Sequence, residues 1–222
     1  MLGSLIIVFR EVIEAGLVVG IVLAATRGIA GRGWWVAGGV AAGVAGAAIA
    51  AAFAGALSTA FSGNGQDIFS AAILCLAVLM LSWHVIWMAR HGRELAQQMQ
   101  QMGAAVSSGS RSLGAMATVV AVAVLREGME VVLFLYGIAV STHVGAFSLL
   151  SGGLLGVLGG AALSYALYRG LIIIPLRHLF AVTNILVSLL AAGMASQAAA
   201  LLASDDLIPA LGYDIWDTSW LL

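Results

Sequence analysis

The sequence contains no lysine, a single cysteine and few charged residues of either sign. Charged residues make up 9% of the 222 residues and hydrophobic residues 62%, and the mean hydropathy is +1.09. A chain of this composition cannot cover itself with a polar surface, so a soluble fold is excluded. The nine basic residues are all arginine and form no basic tract, which excludes nucleic acid as a partner.

A lone cysteine, Cys75, excludes internal disulfides, an iron–sulfur cluster and a cysteine-rich zinc site. The first apolar run contains Arg10, Glu11 and Glu14 and follows no basic stretch, so it is not typical of a cleaved signal peptide. We therefore expect this run to stay in the protein as a membrane span.

Long apolar runs account for most of the chain. A helix needs about 20 mostly apolar residues to cross about 30 Å of hydrocarbon. The runs are too long and too uniformly apolar for the alternating strands of a barrel, so the sequence predicts an all-α, polytopic membrane protein with six transmembrane helices. The predicted spans are 2–26, 34–61, 67–91, 113–141, 145–169 and 178–204.

Arginine is concentrated in alternate loops between the predicted spans. Loops rich in arginine are typically cytoplasmic, whereas the opposite loops here carry aspartate and no arginine. This pattern predicts that the N-terminus lies outside the cell. Seven of the nine arginines fall in the cytoplasmic loops: Arg27, Arg32, Arg90, Arg93, Arg111, Arg169 and Arg177.

One short motif, Arg-Glu-x-x-Glu, occurs at 10–14 in span one and again at 126–130 in span four. Gly-x-x-x-Gly patterns, which we interpret as close helix packing, recur in spans two and five. A repeat of three spans has an odd number of crossings, so the second copy is expected to be inverted in the membrane. The predicted parts are repeat 1 at 1–93, a solvated cytoplasmic linker at 94–111, repeat 2 at 112–205 and an external tail at 206–222. The start of the linker, 94–102, can extend span three as a helix before a turn rich in glycine and serine.

The charged residues of both motifs lie near the middle of their spans. Each would cost about 2.5 to 3.5 kcal/mol if it faced lipid there, so we expect the six to face one another. Helical spacing places the members of each motif on one face. The predicted metal ligands are Glu11, Glu14, Glu127 and Glu130, supported by ion pairs from Arg10 and Arg126.

Four glutamates and two arginines give this cluster a formal charge of −2. Buried carboxylate is costly unless it is protonated or bound to a cation. Oxygen ligands without nearby sulfur favour a hard cation such as Fe³⁺, Mn²⁺, Mg²⁺ or Ca²⁺. The alternative is that the Arg–Glu pairs only fix the register of the helices.

Other polar residues are secondary candidates. His84 and Asn184 lie within spans three and six and are candidates for the ion path, although a hydrogen-bonded packing role is favoured for His84. Asp205 and Asp206 are candidates for cation capture at the outer face, with an ordinary solvated loop as the alternative. Tryptophans near the span ends, including Trp87, are typical of interface anchors.

The sequence resembles the oxidase-dependent iron permease family, most clearly in the stretches 7–17, 24–28 and 125–130. The resemblance covers nearly the whole chain. The resemblance implies iron import across a bacterial plasma or inner membrane, with no enzymatic activity and no cofactor beyond the transported iron. It also implies an extracytoplasmic oxidase, peroxidase or iron-binding protein as a partner. The resemblance does not determine whether the protein forms a homo-oligomer or whether it transports Fe²⁺ or Fe³⁺. The family has a seventh helix beyond the point where this chain ends, so a truncation is expected.

Two other classes of function stay open at this point. A carrier of another hard divalent cation such as Mn²⁺, or a proton-coupled solute carrier, would also use buried carboxylates. An intramembrane haem or quinone redox enzyme is disfavoured, because haem usually needs axial histidines at matched depth and only His84 lies well inside a span.

Overall fold

The computed structural model describes residues 1–60, 66–142, 145–170 and 176–204. Within these ranges the regular structure is helical and contains no β-strand, so the all-α prediction is confirmed. Each predicted span lies in a helix whose bounds are close to those expected, except that the third helix is longer. The helices are α1 (Leu2–Ala25), α2 (Arg32–Ala60), α3 (Gln66–Ser107), α4 (Leu113–Thr142), α5 (Ala146–Tyr168) and α6 (Leu176–Ser204).

In the described part of the chain, four helices are long and apolar enough to cross a membrane. α1 and α4 have comparable lengths, but each carries the three charged residues of a motif in its middle. Apolar helices of this length are not stable when exposed to water, so these helices indicate a multi-pass membrane protein. The four segments are Arg32–Ala56, Ile68–Met88, Ala146–Tyr168 and Leu179–Ser204.

α3 continues past the third predicted span and through most of the predicted linker, as far as Ser107. Its extension is rich in Gln, Ala and Met, which favour helix. One side of the extension is packed: Val106 is buried, Gly103 lies against Ala25, and Ser107 Oγ donates a hydrogen bond of 2.9 Å to the Ala25 carbonyl. The extension therefore packs on one side against the end of α1, and a turn with Gly109 at φ +78° follows it.

The helices pack in pairs, and glycines allow a close approach in two of these pairs. α1 packs along α5, α2 along α4 and α3 along α6, and α1 and α4 also contact each other. On α5 the buried glycines are Gly152, Gly156 and Gly160, which face α1. On α2, a Cβ atom added at Gly43 would lie 2.7 Å from the Ala121 carbonyl oxygen of α4. This close approach leaves no room for a side chain.

Substitution of Gly43 by leucine should destabilise the protein strongly. The added Cβ would meet the backbone of α4 at 2.7 and 2.9 Å, which cannot move aside as a flexible side chain can. We expect a loss of about 3 kcal/mol or more in the free energy of unfolding, the upper end for overpacking. Unfolding of the purified protein in detergent measures this loss.

The matched control is Gly38→Leu on the same helix, where no described atom lies within 4 Å of the added Cβ. Its effect should stay within about 0.5 kcal/mol, as for an exposed position. Equal stability of the two variants would show that the α2–α4 approach is not a tight contact.

Candidate metal site

The first motif forms a buried charge cluster on α1. Arg10 is 1% exposed, and its Nη1 donates to Glu11 Oε1 at 3.0 Å. Its Nη2 lies 3.0 Å from Glu14 Oε1, the i,i+4 contact that helical geometry predicts. One guanidinium therefore bridges two carboxylates, and all three side chains are buried.

The second motif is arranged differently on α4. Arg126 Nε donates to Glu130 Oε1 at 3.2 Å and lies 4.0 Å from Glu127 Oε1. The Arg126 side chain is 40% exposed, and its guanidinium lies over the ring of Trp87, 5.0 Å from the ring centroid. Arg126 therefore keeps the expected pairing with Glu130 and lies over Trp87 at the edge of the cluster.

His84 on α3 joins the two motifs. Its Nε2 lies 3.1 Å from Glu14 Oε2, and its Nδ1 contacts Glu130 Oε2. The imidazole is 3% exposed and thus sits between one carboxylate from each motif. The sequence favours a hydrogen-bonded packing role for His84 over a place on the ion path, and contacts of both ring nitrogens with carboxylates are compatible with either role.

Four buried side chains converge in a way that could hold a metal ion. One ligand atom from each of Glu11, His84, Glu127 and Glu130 lies within 4.8 Å of the others. Among the described residues, no hydrogen-bond donor reaches Glu11 Oε2 or Glu127 Oε2, although both atoms are buried. Buried carboxylate oxygens without donors are costly, and a bound cation would satisfy them.

The remaining sequence candidates fall in different places. Glu14 lies beside the four-residue group, where Arg10 and His84 engage its two oxygens. Asn184 on α6 has a buried Oδ1 without a donor among the described residues and is not a member of the group. Asp205 and Asp206 lie outside the described residues, so their expected role in cation capture is not addressed.

A comparison with known proteins decides the family. The whole chain, residues 1–222, matches the profile of the iron permease FTR1 family. The chain belongs to this family. The resemblance expected from the two motifs is thus confirmed.

Several relatives of this iron permease family member carry the name ferrous iron permease EfeU. The protein of Escherichia coli O6:H1 is 31% identical over 199 residues, which cover 87% of this chain and 70% of the relative. That of Shigella sonnei is 30% identical with the same coverage. That of Shigella flexneri is 33% identical over 62% of this chain and 58% of the relative. No solved structure matches the chain.

Proposed function

We propose that this protein imports iron across the cell membrane through the site formed by Glu11, His84, Glu127 and Glu130. The observation that carries the proposal is the convergence of three carboxylates and one imidazole, all buried, from three different helices. Membership of an iron permease family and the names of the relatives support iron as the cargo.

The charge of the cluster supports a multivalent cation. The four glutamates and two arginines give −2 with His84 neutral, and Arg10 is already engaged by Glu11 and Glu14. The carboxylates of Glu11 and Glu127 each retain an oxygen without a donor. A divalent ion would cancel the formal charge and occupy these oxygens at once.

The donor set narrows the choice of ion. Mg²⁺ and Ca²⁺ bind oxygen ligands almost exclusively, whereas imidazole suits iron and other transition metals. His84 therefore favours iron over Mg²⁺ and Ca²⁺. Mn²⁺, which accepts carboxylates readily, is the competitor closest to iron in chemistry.

The proposed path assumes six crossings in two inverted halves, 1–93 and 112–205, joined by 94–111. In this arrangement α1 corresponds to α4, α2 to α5 and α3 to α6. The α1–α5 pair then corresponds to the α4–α2 pair, and both pairs pack closely. This correspondence supports the inverted arrangement. Its consequence is a site where the two halves meet, near the middle of the membrane.

With the N-terminus outside, as the arginine distribution favours, the membrane potential drives import. Each positive charge gains about 2.3 kcal/mol per 100 mV as it moves inward, hence about 4.6 kcal/mol for a divalent ion. An extracytoplasmic oxidase, peroxidase or iron-binding protein would supply the ion at the outer face.

Uptake of radioactive iron into proteoliposomes with an inside-negative potential tests this function. We expect saturable Fe²⁺ uptake that tenfold excess Mg²⁺ leaves unchanged and tenfold excess Mn²⁺ reduces. Liposomes without protein are the control. Equal inhibition by Mg²⁺, or uptake of Mn²⁺ in preference to iron, would contradict the assignment of iron as cargo.

A further inference from the structure

The two motifs contribute unequally to the four-residue group that could hold a metal ion. The second motif supplies both of its glutamates, Glu127 and Glu130, whereas the first supplies only Glu11. Glu14 of the first motif lies beside the group and is not a member of it. Because the two motifs have the same spacing in the sequence, a residue outside them must account for this difference.

The arginines of the two motifs approach their glutamates differently. Both terminal nitrogens of Arg10 lie 3.0 Å from carboxylate oxygens, one on each glutamate of its motif. Arg126 makes its closest approach through Nε, which lies 3.2 Å from Glu130 Oε1 and 4.0 Å from Glu127 Oε1. A distance of 4.0 Å is too long for a hydrogen bond. Arg10 therefore engages both carboxylates of its motif, whereas Arg126 engages one.

Trp87 on α3 distinguishes the two arginines. The guanidinium carbon of Arg126 lies 5.0 Å from the centroid of the indole ring. Such a contact attracts the cation to the ring face, and the attraction is stronger away from water. In the part of the chain that the structure describes, no aromatic ring lies over Arg10 in this way. His84 contacts one glutamate of each motif, so it does not explain the difference.

The indole of Trp87 is positioned from its own helix. His91, one turn further along α3, stacks on it with the ring centroids 5.1 Å apart and the ring planes 15° apart. His91 Nδ1 also lies 3.1 Å from the carbonyl oxygen of Trp87. Contacts within α3 therefore help to orient the ring face on which Arg126 rests.

We propose that Trp87 is a positioning residue that keeps Arg126 away from Glu127, so that both glutamates of the second motif can bind the metal ion. This inference rests on the proposed function, because it takes the four-residue group as the metal site. Without the indole, Arg126 can bridge both of its glutamates as Arg10 does in the first motif, since the spacing on the helix is the same. The metal ion would then have to displace the guanidinium from a carboxylate.

Binding of Fe²⁺ to the purified protein, measured by titration calorimetry without oxygen, tests this role. We expect Trp87→Leu to weaken binding about tenfold, which corresponds to about 1.4 kcal/mol and lies within the range for a partly desolvated cation–π contact. Trp87→Phe keeps an aromatic face and should stay within about threefold of the wild type. If Trp87→Leu does not fold, Trp87→Met replaces it with the same expectation.

Trp83→Leu is the matched control. Trp83 lies one turn from Trp87 on α3 and is 72% exposed, and among the described residues no arginine lies over its ring. This variant should bind Fe²⁺ as the wild type does. Equal weakening by Trp83→Leu and Trp87→Leu would contradict a specific role for Trp87.

Removal of Arg126 separates positioning from packing. In an Arg126→Gln background no guanidinium competes for Glu127, so adding Trp87→Leu should leave the Fe²⁺ affinity unchanged. A tenfold weakening that persists in this background would overturn the proposal. The same conclusion would follow if Trp87→Phe bound as weakly as Trp87→Leu, or if Trp87→Leu bound as the wild type does.

Failure of the proposed function gives a different result. A wild-type protein that binds no Fe²⁺ would refute the metal site and, with it, the role of Trp87. Wild-type binding that Trp87→Leu leaves unchanged would refute only the role of Trp87 and retain the metal site.

Discussion

Replacement of Glu127 by glutamine should reduce iron uptake at least about 100-fold. Substitution of a residue that only hydrogen-bonds to a metal ligand commonly lowers metal affinity or activity 10-fold to 100-fold, and the loss of a ligand itself should have a larger effect. Glutamine keeps the size of the side chain but removes the negative charge. Glu127 Oε2 is buried without a hydrogen-bond donor among the described residues, and in the proposed function the metal ion is its partner. Uptake of radioactive iron in cells that express the variant measures the effect.

The variant should still reach the membrane in normal amounts. The cluster carries more carboxylates than cations, so loss of one negative charge relieves repulsion and leaves no buried arginine unpaired. Glu94→Gln is the matched control, since Glu94 is exposed on α3, and its uptake should equal that of the wild type. If the Glu127→Gln protein is detected by immunoblot and its iron uptake is within twofold of wild type, Glu127 is not part of the transport site.

The two arginines of the repeated motif should differ strongly in their effect on stability. Arg10 is 1% exposed and lies 3.0 Å from oxygens of both Glu11 and Glu14. Arg10→Gln leaves these carboxylates with uncompensated buried charge, and breaking a buried ion pair in this way costs about 3 to 5 kcal/mol. We expect this variant to unfold readily in detergent or to be absent from the membrane.

Arg126→Gln is the internal control for this prediction. Its side chain is 40% exposed, so its loss should destabilise the protein less than Arg10→Gln does, although its partner Glu130 is only 7% exposed. Denaturation of the purified proteins measures this difference in the free energy of unfolding. Equal losses for the two variants would mean that the motifs occupy equivalent environments, against the difference seen in the structure.

This difference also bears on the transport mechanism. A sequence repeat of inverted topology predicts equal environments for the two motifs only in a symmetric state. A carrier that exposes its site to one side at a time must hold its two halves in different conformations. Burial of Arg10 and partial exposure of Arg126 place the two motifs in unequal environments in this structure.

The sequence by itself determined the features that depend on local geometry. Apolar runs of sufficient length form helices in lipid because backbone groups there must be satisfied within the segment, and the described helices follow these runs closely. The Arg10–Glu14 and Arg126–Glu130 contacts follow from i,i+4 spacing on one helix. The cost of charge in lipid also predicted correctly that the four glutamates are buried.

Only the tertiary structure decided which other side chains complete the site. His84 lies 70 residues from Glu14 in the chain, and its contact depends on how α3 is rotated and placed against α1 and α4. Likewise, Trp87 holds Arg126 at the edge of the cluster, so identical motifs acquire unequal burial. Packing between helices fixes these relations, and it arises from contacts distant in sequence that no local spacing records.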